Sequence, residues 1–157
     1  MLGIIKLPGT PSVFEFKGTV DESAQFDKLI PADEFELQIR CREVTRINSL
    51  GIKEWFTFFG RVREQGRKVK FIELSPALVC QAGWVQNFIL PEEVFSFCVP
   101  YQCQTCAQNF LKVFEVPELK NNNLLLPTVD CPNCQKPAEL DEIEDQYLSF
   151  LKKPGRS

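Results

Sequence analysis

Histidine is absent from all 157 positions of the chain. That excludes Ser-His and Cys-His nucleophile pairs, imidazole-bearing metal sites and the usual imidazole acid-base catalyst. Neither G-x-x-x-x-G-K-[ST] nor G-x-G-x-x-G occurs, so the two common glycine-rich phosphate cradles are missing as well. No apolar run approaches the roughly 18 residues of a membrane helix. Positive charge is not in excess: 18 basic residues stand against 21 acidic ones, for a net charge of −3. Residues 1–98 hold 12 basic and 13 acidic side chains, and residues 99–157 hold 6 and 8. A phosphate-tracking surface needs a basic excess, so nucleic acid is disfavoured as a partner. The opening MLGIIKLPGT is broken by Pro8 and Gly9 too soon to read as a secretory signal. Apart from Asn121-Asn122-Asn123, which reads as a hairpin turn, there is no low-complexity segment and no internal repeat.

What is present is an ordinary globular balance, 44% apolar and 25% charged, long enough for one domain or two small ones. Seven cysteines, an odd number, include two close pairs. With no export signal, a reducing cytoplasm and a metal site are the expectation rather than disulfides.

The pattern centres on residues 35–62. Phe35, Leu37, Ile39 and Cys41 alternate with polar residues, the period of a strand with one buried face. Ile52, Trp55, Phe56, Phe59 and Val62 then recur at helical spacing. Between them lies Ile47-Asn48-Ser49-Leu50-Gly51, where Asn48 or Ser49 can cap the helix. Strands are expected over 2–7, 12–17, 68–74 and 94–99. A helix is expected over 22–30, capped by Asp21 or Ser23 and stopped by Pro31, and another begins at Ser75-Pro76. The order β-β-α-β-α-β-α-β predicts an α/β mixed sheet with helices mainly on one face.

That order and the turn VTRINSLGIKEWF resemble the STAS domain, named for sulfate transporters and anti-sigma-factor antagonists. In that family the turn often reads Asp-Ser-Ser-Gly; here Asn48, Ser49, Leu50 and Gly51 stand at those positions. GTVDE at 18–22 is also similar to the family's turn after the second strand. The resemblance covers residues 1–98. It implies a non-enzymatic cytoplasmic binding module that docks a protein partner, such as a kinase or an anti-sigma-type regulator. It also implies that the 48–51 turn is the docking site, with Ser49 at the position phosphorylated by a partner kinase in the sigma-factor branch.

Residues 99–157 form the second expected unit. Cys103 and Cys106 make one C-x2-C knuckle, and Cys131 and Cys134 make another, with 24 residues between them. Each knuckle can turn two thiolates toward one tetrahedral ion. With FLKVFEV (110–116) and NLLLPTV (123–129) as hairpin strands, residues 99–138 resemble a zinc ribbon. Four protein ligands leave no open position for water, so zinc is expected in a structural role. Iron is the alternative, because rubredoxin also sets Tyr two residues before its first knuckle, as Tyr101 is here. Rubredoxin's knuckles are usually followed by Gly, whereas this chain has Ala107 and Gln135. Residues 139–153 carry Ile143, Tyr147, Leu148 and Leu151 at helical spacing, a terminal helix.

Cys41, Cys80 and Cys98 lie in apolar patterns and read as buried small hydrophobes, and Trp55 and Trp84 as packing residues. Leu124, Leu125 and Leu126 read as contacts to the first unit or to a partner. Together these features predict a signalling or scaffold protein rather than an enzyme. The alternatives are a nucleic-acid or transcription-machinery adaptor using the ribbon, and a rubredoxin-like redox protein.

Overall fold

A computed structural model describes residues 1–9 and 12–152. Its first part follows the expected order: β1 (Gly3–Leu7), β2 (Val13–Val20), α1 (Phe26–Leu29), β3 (Glu36–Ile47), α2 (Ser49–Glu64), β4 (Lys68–Ile72), α3 (Pro76–Trp84) and β5 (Ser96–Gln102). Then come β6 (Asn109–Glu115), α4 (Val116–Asn121), β7 (Val129–Asp130), β8 (Pro137–Leu140), α5 (Glu144–Tyr147) and α6 (Ser149–Lys152). The fold is mixed α/β with two sheets, ordered β1-β2-β3-β4 and β6-β5-β8-β7.

In the first sheet β1 runs antiparallel to β2, while β2, β3 and β4 are parallel. The alternation in β3 buries Leu37, Ile39 and Cys41 completely. α2 lays Trp55, Phe59 and Val62 into the same core. Trp55 is its centre. Its ring meets Phe16 edge-on at 6.2 Å and stacks on Phe71 at 5.6 Å and Phe88 at 5.0 Å. Its indole N–H donates to the Phe88 carbonyl at 3.2 Å, so burial leaves no orphaned donor.

β5 joins the two sheets. The Phe95 N–H donates to the Phe71 carbonyl (2.9 Å), Leu74 N–H to Ser96 (3.1 Å) and Cys98 N–H to Leu74 (2.8 Å), a short parallel pairing beside β4. Along its whole length β5 also pairs antiparallel with β6, and at Tyr101 and Gln102 with β8. The strand therefore runs unbroken through residues 98 and 99, where two units were expected to meet. Ser96 to Val99 are all buried, as a strand covered on both faces requires. The C-terminal helices return to this junction. The Tyr147 hydroxyl donates to the Cys98 carbonyl at 2.5 Å, and Phe150 meets Phe97 edge-on at 5.4 Å.

Several expectations are corrected. The helix over 22–30 shrinks to Phe26–Leu29, because the Asp21 carboxylate accepts from the Ser23 N–H at 2.9 Å and holds a turn there. Residues 110–116 and 123–129 do not form a hairpin; β6 pairs with β5, and α4 intervenes. Pro117 suits the first turn of that helix, and Pro127 cannot donate to a strand ladder. Asn121–Asn123 end α4 instead of turning a hairpin, with Asn123 and Leu124 in the left-handed region at φ 58 and 57. The expected helix over 139–153 is a strand end followed by two short helices, with Ile143 exposed and Lys153 outside the described residues. Trp84 is 78% exposed and packs in no core, and Phe35 lies outside β3 and is exposed. Leu124 and Leu126 pack against the core while Leu125 faces outward.

Candidate metal centre and docking turn

The four paired cysteines converge because each knuckle is the loop of a hairpin. Gln102 and Asn109 pair across the first loop, and Asp130 and Pro137 across the second. The loops share one set of hydrogen bonds. The Cys103 N–H donates to the Gln108 carbonyl (2.9 Å) and Cys131 N–H to Lys136 (2.8 Å). The Ala107 N–H donates to Cys103 (2.8 Å) and Gln135 N–H to Cys131 (2.8 Å). Closing so tight a loop needs a left-handed residue after the second cysteine. Ala107 and Gln135 both take φ 62, so the conformation glycine would favour is adopted without it.

The Sγ atoms of Cys103, Cys106, Cys131 and Cys134 all lie within 4.8 Å of one another. Cys103 and Cys134 are 3.5 Å apart, and Cys106 and Cys131 are 3.7 Å apart. A tetrahedral ion with metal–sulfur bonds of about 2.3 Å needs sulfurs about 3.8 Å apart, so the set fits one four-thiolate ion. Cys103 and Cys131 are buried, Cys134 is half-buried and Cys106 faces solvent. Asn133 supports the sulfurs: its backbone N–H reaches Cys131 Sγ at 3.4 Å and its amide reaches Cys106 Sγ at 3.6 Å. With the Gln108 N–H, that amide holds the Cys106 thiol down to about 6. At Cys134 the Lys136 N–H favours the thiolate, yet burial and the three neighbouring thiols push it up to about 11. A bound cation would override that difference by drawing all four to the thiolate form. Asn133 was not singled out from sequence; its place inside the second knuckle was the available signal.

The left-handed residues invite a direct test. An L-residue there costs roughly 1–2 kcal/mol, and glycine returns about half of that to the unfolded chain. The double variant Ala107→Gly, Gln135→Gly should therefore raise the protein's stability by about 1 kcal/mol in chemical denaturation after reconstitution with zinc. A loss of stability would show that these side chains make contacts outweighing their backbone strain.

The turn before α2 lies in the other sheet. Asn48, not Ser49, is the cap: its Oδ1 accepts from the Gly51 N–H at 2.7 Å. Ser49 is the first helical residue and is exposed. The Asn48 N–H donates to the Val20 carbonyl at 3.1 Å, tying the turn to the end of β2. Gly51 is buried against that strand, and a Cβ there would come within 2.0 Å of the Val20 carbonyl oxygen. Leu50, 50% exposed, projects beside it. A groove of about 480 Å³ adjoins the turn, lined by Thr19, Arg46, Ile47, Asn48, Cys80 and Gln81 among others. The α3 residues of that groove were not anticipated, because they reach it only through the sheet crossover.

The remaining cysteines are buried or half-buried. Cys41 and Cys98 are buried, and burial pushes the Cys41 thiol well up and that of Cys98 to about 11. Half-buried Cys80 is raised by the same cause. Thiols held in that state are poor nucleophiles. Among the described residues no helix is long and apolar enough to cross a membrane. No family model matches the chain, and neither a curated protein nor a solved structure matches it.

Proposed function

We propose that this chain is a non-enzymatic, cytoplasmic binding module. A STAS-like unit docks a protein partner through Asn48–Gly51 and the first turn of α2, and a structural zinc ion braces the ribbon beside it. The observation that carries the docking reading is Leu50. A half-exposed leucine stands at the start of a capped helix whose next residue is locked against β2. Locking Gly51 fixes where Leu50 points, and a preorganised apolar contact loses little entropy on binding. The zinc reading rests on the sulfur spacing and the four-thiolate set, which suits a closed structural site.

Ser49 supplies a switch in this reading. A phosphate there would sit on a helix N-terminus, which tolerates negative charge through its dipole and free N–H groups. Because Asn48 does the capping, Ser49→Ala and Ser49→Glu should both keep the parent's stability. Only the Glu form should lose a captured partner, by tenfold or more, about 1.4 kcal/mol. Affinity capture with mass spectrometry, followed by titration of the recovered partner, makes the comparison. Equal binding by both variants and the parent would end the switch idea. Leu50→Asp binding as well as the parent would end the docking reading.

Iron is the second reading for the metal. It is favoured by Tyr101, which lies two residues before Cys103 and stacks on Phe110 at 5.6 Å. Elemental analysis decides, and so does colour: red protein points to iron, colourless protein to zinc.

A further inference from the structure

We propose that a second groove, walled by β3, β4 and α4, binds a small amphipathic monocarboxylate, an apolar chain ending in one carboxylate. The groove has a volume of about 480 Å³. That lies within the usual span of ligand sites, about 300–1,000 Å³. It is separate from both the metal centre and the docking turn, and no residue of either lines it.

Its walls come from both halves of the fold. On one side β3 and β4 present Glu36 opposite Lys68 and Gln38 opposite Lys70 in parallel register. The alternation that sends Leu37 and Phe71 into the core sends these polar side chains to the outer face. On the other side stands α4, where Val116 and Lys120, four residues apart, share one face. The Val116 N–H donates to the Phe95 carbonyl at 2.8 Å, which pins the start of α4 to the groove floor. Val94, Phe95 and Val116 make an apolar lining. Such a site is held open by backbone bonds and need not be assembled by the ligand.

Charge selects the ligand. Three lysines and three glutamates line the groove. Glu93 is already neutralised by Arg63, which grips both its carboxylate oxygens at 2.8 and 2.7 Å. Lys68, Lys70 and Lys120 form no ion pair among the described residues, and neither do Glu36 and Glu92. The groove is thus left with one positive charge in excess, which matches a monoanion. Lys70 Nζ rests 4.6 Å from the centre of the Phe95 ring. That contact holds the ammonium at the boundary between the polar and apolar parts of the groove. A carboxylate on Lys70 or Lys120 with its chain along Phe95, Val94 and Val116 satisfies both.

The test is calorimetric titration of the full-length, metal-loaded protein with three probes: decanoate, decanol and acetate. Decanoate should bind saturably, at least tenfold tighter than either of the others, because each of those lacks one half of the match. Lys70→Gln and Lys120→Gln should each weaken decanoate at least fivefold with unchanged circular dichroism, while Lys17→Gln, on β2, should not. Decanoate binding no tighter than decanol would overturn the proposal, as would lysine variants that bind like the parent.

Discussion

Cys131→Ser should abolish stoichiometric metal binding and unfold the ribbon while the first sheet stays folded. Most residues of the two cysteine loops are exposed, so little apolar burial holds them, and a structural zinc ion supplies about 10–16 kcal/mol of apparent binding energy in small domains. Losing one of four thiolates removes much of that. Within the core that the two sheets share, the first sheet keeps an aromatic centre of Trp55 with Phe16, Phe71 and Phe88 around it. The shared strand β5 sets where the damage stops. The Cys98 N–H bonds back to Leu74, whereas Pro100 to Gln102 pair only with β6 and β8 or with the chain after β8. Hydrogen exchange should therefore show lost protection at the amides of Cys103, Ala107, Cys131 and Gln135, with protection kept at Cys98. Elemental analysis of the parent should find one ion per chain. A metal-free protein whose ribbon amides exchange as slowly as the parent's would refute the metal's structural role.

Gly51→Ala should destabilise the protein by about 3 kcal/mol, the upper part of the usual cost of overpacking. The added Cβ would meet the Val20 carbonyl oxygen at 2.0 Å and the Asp21 nitrogen at 2.9 Å. Both are backbone atoms, so no side chain can swing away. Relief requires α2 to move off the end of β2, which would also stretch the Asn48 to Val20 hydrogen bond. Thermal melting and the denaturant midpoint measure the cost. Gly60→Ala on the same helix is the control: a Cβ there meets nothing within 4 Å, so it should be neutral or slightly stabilising. Equal melting points for the two variants would mean that β2 and α2 are not so closely packed in solution. The glycine of the turn thus has a packing reason of its own, independent of any partner.

The first sheet was legible where periodicity and caps agreed. β2, β3 and β4 have apolar alternation, and α3 begins at Ser75-Pro76 as read, with Ser75 Oγ accepting from the Leu78 N–H at 3.4 Å. Legibility failed where one residue type served two readings. Asn48 and Ser49 are both good caps, and only the backbone path past Val20 selected Asn48. Trp84 reads as a packing residue, yet α3 turns it to solvent. In the last third, residues 123–129 had strand-like composition, but Pro127 and the end of α4 removed the ladder they would have formed.

By itself the sequence determined which side chains make up the candidate metal centre. Two C-x2-C pairs in a chain without histidine leave four thiolates as its natural ligand set, and that follows from residue types and local spacing alone. It also determined the order of strands and helices as far as the strand expected over 94–99, because most of these elements bury one face and that burial writes its period into the residues. Only the tertiary structure decided which strands are neighbours. β6 pairs with β5 rather than with the segment that follows it, and isolated bridges tie the β5 end of that sheet to β4 and Leu74. Both grooves also exist only in three dimensions, since each is walled by residues from distant parts of the chain. Strand pairing is a contest among long-range partners whose hydrogen bonds are chemically alike. It is settled by which arrangement buries Phe97, Cys98 and Val99 on both faces, and no local pattern records that outcome.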